Sequence, residues 1–149
     1  DYGLKRGDLL IIINAYGINS AAIDAALEAR KRGVKTIGVT SINHAQQTPK
    51  NHVARHPSKE NLHDLVDVVL DCKVDVGDAV IEIEGLEQRV AAMSTFANAY
   101  LLNSLVAETV NILASEGVTP PIWMSGNATG GDKWNEQFIN QFRKRIKKL

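Results

Sequence analysis

Gly7-Asp8-Leu9-Leu10-Ile11-Ile12-Ile13-Asn14-Ala15-Tyr16-Gly17-Ile18-Asn19 is the stretch that decides the architecture. The unbroken apolar run from Leu9 to Ile13 is rich in β-branched side chains. Such a run reads as a strand covered on both faces, the kind found in parallel sheets. It predicts a strand over 9–14. A helix is expected over 19–32, with apolar positions Ile23, Ala26, Leu27 and Ala29 and a stop at Gly33. The turn between them, 14–19, has the strand–loop–helix order that cradles anions. Gly17 permits a tight turn, and the unpaired N–H groups of a helix start point at a ligand. An ordinary βα turn with an Asn cap has the same order. A central strand so close to Asp1 also needs neighbours on both sides, which implies strands preceding this sequence.

Outward from there the units alternate. A second strand is expected at 35–40, a polar irregular stretch at 41–60, a third strand at 66–70 and an irregular piece at 73–78. Residues 86–116 read as one long helix with a break near Met93-Ser94, ended by Gly117 and Pro120-Pro121. A short strand, 122–124, leads into a Gly-rich loop and a last helix from Asp132, a good N-cap. Strands alternating with helices argue for an α/β fold with a doubly wound parallel sheet. Ligands in such sheets lie at the carboxyl ends of the strands, here the loops 14–19, 40–60, 72–78 and 125–131.

Composition excludes several classes. The chain has 149 residues, suited to one domain. Lys plus Arg and Asp plus Glu number 17 each, which gives no support to a nucleic-acid surface or a membrane anchor. The basic run from Arg143 to Lys148 suits a solvated last helical turn. Cys72 is the only cysteine, so a reducing compartment, the cytoplasm, is expected. The longest uncharged run, Val90–Ala107, approaches membrane length but contains Ser94, Thr95, Asn98, Asn103 and Ser104. It reads as a helix buried in protein. Loop 14–19 carries neither G-x-x-x-x-G-K-[ST] nor G-x-G-x-x-G, and strand two ends in Thr40-Ser41 rather than an acid. Neither a P-loop nor a classical NAD site fits, and no cofactor is expected.

A family resemblance is carried by several segments together. They are Gly7-Asp8 with the apolar strand and glycine turn, Ala29-Arg30-Lys31-Arg32-Gly33-Val34, and Thr36-Ile37-Gly38-Val39-Thr40-Ser41. Further on come Arg55-His56-Pro57-Ser58-Lys59, Gly77-Asp78-Ala79, Glu82 through Gln88 and Asn127 through Asn135. Over nearly its whole length the chain resembles the SIS (sugar isomerase) domain family, in an uncharacterised bacterial branch similar to phosphoheptose and other phosphosugar isomerases. The resemblance implies a flavodoxin-like, three-layer domain, with residues 1–149 as its C-terminal portion lacking the first strand–helix unit or units. It implies a homodimer that binds a phosphorylated sugar, either for aldose–ketose isomerisation or, alternatively, as a non-catalytic sensing or dimerisation module. The family's phosphate loop reads S-x-S-G-x-[TSN]. Asn14 and Tyr16 stand at its two Ser positions, Gly17 matches, and Asn19 takes the last polar position. These four residues, with Ser41 and the hydroxyl pair Ser94-Thr95, are the candidate ligand contacts. Ser94-Thr95 also fits a plain helix break.

Isomerisation needs a base near the substrate and a group that shuttles hydroxyl protons. His56 is the candidate shuttle, and Glu84 and Glu87, from the cluster with Glu82, are the candidate bases. An exposed loop histidine and solvated acids at a helix start are the plainer alternatives. His44, His52, His56 and His63 invite a metal reading. However, Pro57 follows His56 directly, so the spacing from His52 need not put the two on one helical face. No metal is expected. Residues 86–116, apolar around most of a helix, are expected to form the dimer interface, the alternative cover being the segment expected before Asp1.

Overall fold

The computed structural model describes residues 3–146. It divides into two compact units, 1–104 and 105–149. The first holds a parallel sheet of three strands, β1 (Leu9–Ile13), β2 (Lys35–Thr40) and β3 (Val68–Asp71), in spatial order β1-β2-β3. Ile12 lies opposite Gly38, and Gly38 opposite Val69.

Helix α1 (Ser20–Lys31) is amphipathic. Ala22, Ile23, Ala26 and Ala29 are buried at helical spacing, and Arg30 and Lys31 close its last turn. With Leu62 and Leu65 of the short helix α3 (Leu62–Leu65), Ile12, Ala22, Ile23 and Ala26 make the core cluster. Ile23 and Leu62 are completely inaccessible to solvent. Truncating either to Ala would cost about 3 kcal/mol. Gly38 leaves room for this layer, because a Cβ there would lie 3.0 Å from Val66 Cγ2.

The alternation along β1 has a second consequence. Ile12 is buried, while Leu9, Ile11 and Ile13 stay exposed, as does Val68 in the row of Ile11 and Ile37. The described layer of α1 and α3 thus covers one face of the sheet, and the other is open at these residues.

The stretch 41–60, expected to be irregular, contains helix α2 (Ile42–Gln47). Ser41 caps it by accepting from the N–H of His44 at 3.1 Å. The expected long helix begins later than the sequence suggested. Residues 79–92 form an antiparallel hairpin, β4 (Ala79–Ile81) and β5 (Val90–Ala92), before α4 (Ser94–Ser115). Arg89 and Glu82 pair across that hairpin. Apolar residues after a Gly-containing turn suit either period, and here cross-strand pairing decided for strands. None of the residues of α4 is buried.

In the second unit, residues 122–124 form no strand among the described residues, so the expected fourth parallel strand is absent from the sheet. Their polar groups turn instead to α5 (Gly131–Phe142). Trp134 Nε1 donates to Ile122 O at 2.8 Å, and Asn135 bonds both N and O of Met124 at 2.9 and 2.8 Å. Side-chain capture of these backbone groups competes with strand pairing. Phe138 packs against the rings of Trp123 and Trp134. No described helix is long and apolar enough to cross a membrane.

Candidate functional site

Two clefts flank the sheet. One, of about 270 Å³, lies at the amino end of β2 and is lined by Arg30, Lys35, Asp67 and their neighbours. The other, of about 390 Å³, lies at the carboxyl ends of the strands, where parallel sheets bind ligands. Tyr16, Asn19, His44, Gln47, Thr48 and His52 are its polar and aromatic walls. The second is the candidate site by position and by chemistry.

Loop 14–19 forms its floor. Gly17 has φ +64°, and a Cβ on it would lie 2.3 Å from Thr40 Oγ1. Only glycine suits both the left-handed backbone and the close approach. The Gly17 N–H donates to Asn14 Oδ1 at 2.7 Å, so the Asn14 side chain fills part of the cradle from within. Asn19 is the N-cap of α1 but makes no side-chain capping bond; its Nδ2 reaches Ala54 O at 3.4 Å instead. The first N–H groups of α1 are therefore left without that cap, at the positive end of the helix dipole.

The Tyr16 ring lies 4.2 Å from the His44 ring, tilted by 36°. His44 is held by α2, its Nδ1 lying 3.2 Å from Thr48 Oγ1. Burial pushes its imidazole below the usual histidine range, against the pull of its backbone hydrogen bond and of Asp78. Behind this wall lies Arg55, a buried guanidinium. It donates to the carbonyls of Pro49, Ala45 and Thr48 and, at 2.9 Å, to Asn61 Oδ1. All of these acceptors are neutral.

The residues expected to carry chemistry are scattered. His56 lies outside the cavity lining, between Asp24 Oδ1 at 3.2 Å and Ser58 Oγ at 2.8 Å. Glu84 and Glu87 are exposed in the hairpin connection. Ser41 is fully buried, with its hydroxyl donating to Val74 O at 2.6 Å. Ser94 Oγ donates to Asp78 Oδ2 at 2.6 Å, and the N–H groups of Ser94 and Met93 donate to Asp78 Oδ1. Asp78 thereby caps α4, and Thr95 is exposed in the first turn. Among the candidates, Tyr16 and Asn19 line the cavity, and Asn14 and Gly17 shape the loop beneath it. Sequence reasoning passed over His44 as a site residue. Its signal was position alone, four residues after the end of β2 at Thr40. Cys72 is buried, and burial pushes its thiol upward, which suits a structural cysteine. Among the described residues, no three His, Cys, Asp or Glu converge as metal ligands.

A parallel βαβ unit with a cavity at its strand ends defines an α/β domain. Residues 1–41, which span β1, the loop, α1 and β2, match the sequence model of the family described as "SIS domain". The chain is 38% identical over 143 residues to a UPF0309 protein of Streptomyces avermitilis, covering 96% of this chain and 55% of that one. A UPF0309 protein of Thermoanaerobacter pseudethanolicus is 36% identical over 150 residues, covering 99% and 59%. One from Halalkalibacterium halodurans is 36% identical over 146 residues, covering 98% and 57%. Residues 1–41 belong to the SIS-domain family, and these UPF0309 proteins are relatives of nearly the whole chain. It spans a little over half the length of each.

Proposed function

We propose that this chain supplies the sugar-facing pocket of a phosphosugar-binding SIS protein that interconverts aldose and ketose phosphates or is a close relative of such an isomerase. One observation carries the reading: the segment matched by the SIS model contributes Tyr16, Ile18 and Asn19 to the cavity. Three features support an anionic ligand there. The start of α1 lacks a side-chain cap, Asn19 lies at the cavity wall, and Arg55 holds an unneutralised charge behind it. The proposed contacts are Asn14, Tyr16, Gly17 and Asn19, with Ser41 and Ser94-Thr95 at the margin. His56, Glu84 and Glu87 are the proposed proton-transfer groups, and they serve only if further chain or a partner brings them to the substrate.

A second reading is a non-catalytic sugar-phosphate sensor or dimerisation module. It is favoured by Asn14 filling the phosphate cradle and by a cavity lining that does not include Glu84 or Glu87. The fuller architecture we propose is a three-layer, doubly wound SIS domain of which this is the C-terminal portion. It would work as a cytoplasmic homodimer through α4, without cofactor, nucleic acid or membrane.

Backbone NMR titration with fructose 6-phosphate, fructose and inorganic phosphate tests the binding claim. The expected response is confined to 14–20 and 44–54 and is strongest for the phosphorylated sugar. No response at millimolar ligand, or one centred on the 270 Å³ cleft, would refute it. Exchange of substrate C–H for solvent deuterium separates the isomerase from the sensor.

A further inference from the structure

We infer that the Tyr16–His44 pair is the sugar-ring contact of the 390 Å³ cavity, with His44 Nε2 the hydrogen-bond acceptor for a sugar hydroxyl. The inference rests on the phosphosugar reading and deepens it.

The argument begins with one proton. The Thr48 hydroxyl lies 2.8 Å from the carbonyl oxygen of His44 and 3.2 Å from His44 Nδ1. A carbonyl cannot donate, so the shorter contact is a hydrogen bond only if Thr48 gives its single proton to it. Thr48 Oγ1 then has only lone pairs for the ring, and Nδ1 must carry the proton that closes the second contact. In the neutral imidazole this leaves Nε2 with a lone pair. Among the described residues no hydrogen bond to Nε2 is found, and His44 lines the cavity.

The ring is therefore held in one tautomer by its own helix, and its second nitrogen can accept but not donate. A hydroxyl is the complementary ligand group, whereas a phosphate oxygen would meet a lone pair. The Tyr16 ring beside it adds a flat apolar surface of the kind that packs against the C–H face of a sugar. Asn19, at the far side of the same loop, remains for the anionic end. The cavity thus separates a hydroxyl-accepting wall from an anion-accepting one.

Two measurements on the full-length chain test this. The first is a long-range ¹⁵N–¹H correlation of the histidine rings in the free protein. The expected pattern for His44 is protonated Nδ1 and bare Nε2, with the Nε2 resonance moving on addition of fructose 6-phosphate. The opposite tautomer, or an unmoved resonance with ligand bound, overturns the inference. The second is titration of His44→Asn, whose side-chain amide can still donate to Thr48 but which lacks Nε2. Fructose 6-phosphate affinity should fall roughly tenfold, the weight of one hydrogen bond to a buried acceptor, while inorganic phosphate binds as before. Equal sugar-phosphate affinity in the folded variant overturns the inference and leaves the phosphosugar reading intact. A wild-type chain that binds no sugar phosphate overturns both.

Discussion

The charge of Asp67 is committed to the native state by three hydrogen bonds. Its carboxylate accepts from Lys35 Nζ at 2.7 Å, from Thr36 N at 2.8 Å and from Thr36 Oγ1 at 3.0 Å, while its own N–H donates to Thr36 Oγ1. The bond from Lys35, followed by those from Thr36, lowers its pKa from 3.8 to about 2. A carboxyl with a depressed native pKa contributes stability that is fully present above its unfolded value and is lost as pH falls through the native one. The urea midpoint should therefore fall between pH 4 and pH 2. Asp67→Asn should start lower at pH 7 and fall less over that window. Parallel slopes for the two proteins would show that Asp67 does not govern the acid limb. The locking of β2 to the start of β3 by this one side chain was not legible in sequence, because Lys35 and Asp67 lie in different elements.

At the scale of elements, α2 depends on a clamp more than on its own propensity. It has six residues, too few for an isolated helix to persist. Arg55 satisfies the carbonyls of Ala45 and Thr48 at its end and binds Asn61, which in turn holds Asp64. Arg55→Met should cost about 3 kcal/mol, since several buried acceptors lose their donor together. Arg55→Lys should recover little, because one ammonium cannot reproduce the planar fork. Chemical denaturation with an unchanged m-value checks both. Recovery by Lys would mean that charge alone matters. The strand–helix–strand unit from Leu9 to Thr40 was readable because hydrophobic period, glycine placement and length agree there. Helix α2 was not, because His44, Gln46 and Gln47 carry no apolar stripe and Arg55 acts from outside the helix. Residues 86–92 were misread as helix for the opposite reason: their apolar residues fit a helix equally well until pairing partners are known. In the site, the glycine turn was legible, whereas the pairing of Tyr16 with His44 joins a loop and a helix that only the fold brings together.

At the scale of the whole molecule, the described residues leave much apolar surface uncovered. Leu9, Ile11, Ile13 and Val68 lie open on one face of the sheet, and α4 exposes Phe96, Tyr100, Val106 and Ile112. Patches of this kind mark interaction surfaces or aggregation liabilities. Ile11→Thr with Val68→Thr should lower the melting temperature of this chain only by a few degrees, because 40% of Ile11 and 51% of Val68 is already exposed. The same pair should clearly weaken its binding of a hydrophobic reporter dye. A large loss of stability would instead mean that the face is covered in solution.

Strand β1 pairs with β2 along one side only, and its other side turns a row of backbone donors and acceptors outward among the described residues. Its side chains, Leu-Leu-Ile-Ile-Ile, contain no charge, proline or bulge to discourage a newcomer. For anyone producing this stretch alone, that edge governs handling more than the melting point does. Association would begin there, would rise steeply with protein concentration, and would be relieved by a single lysine placed at Ile11.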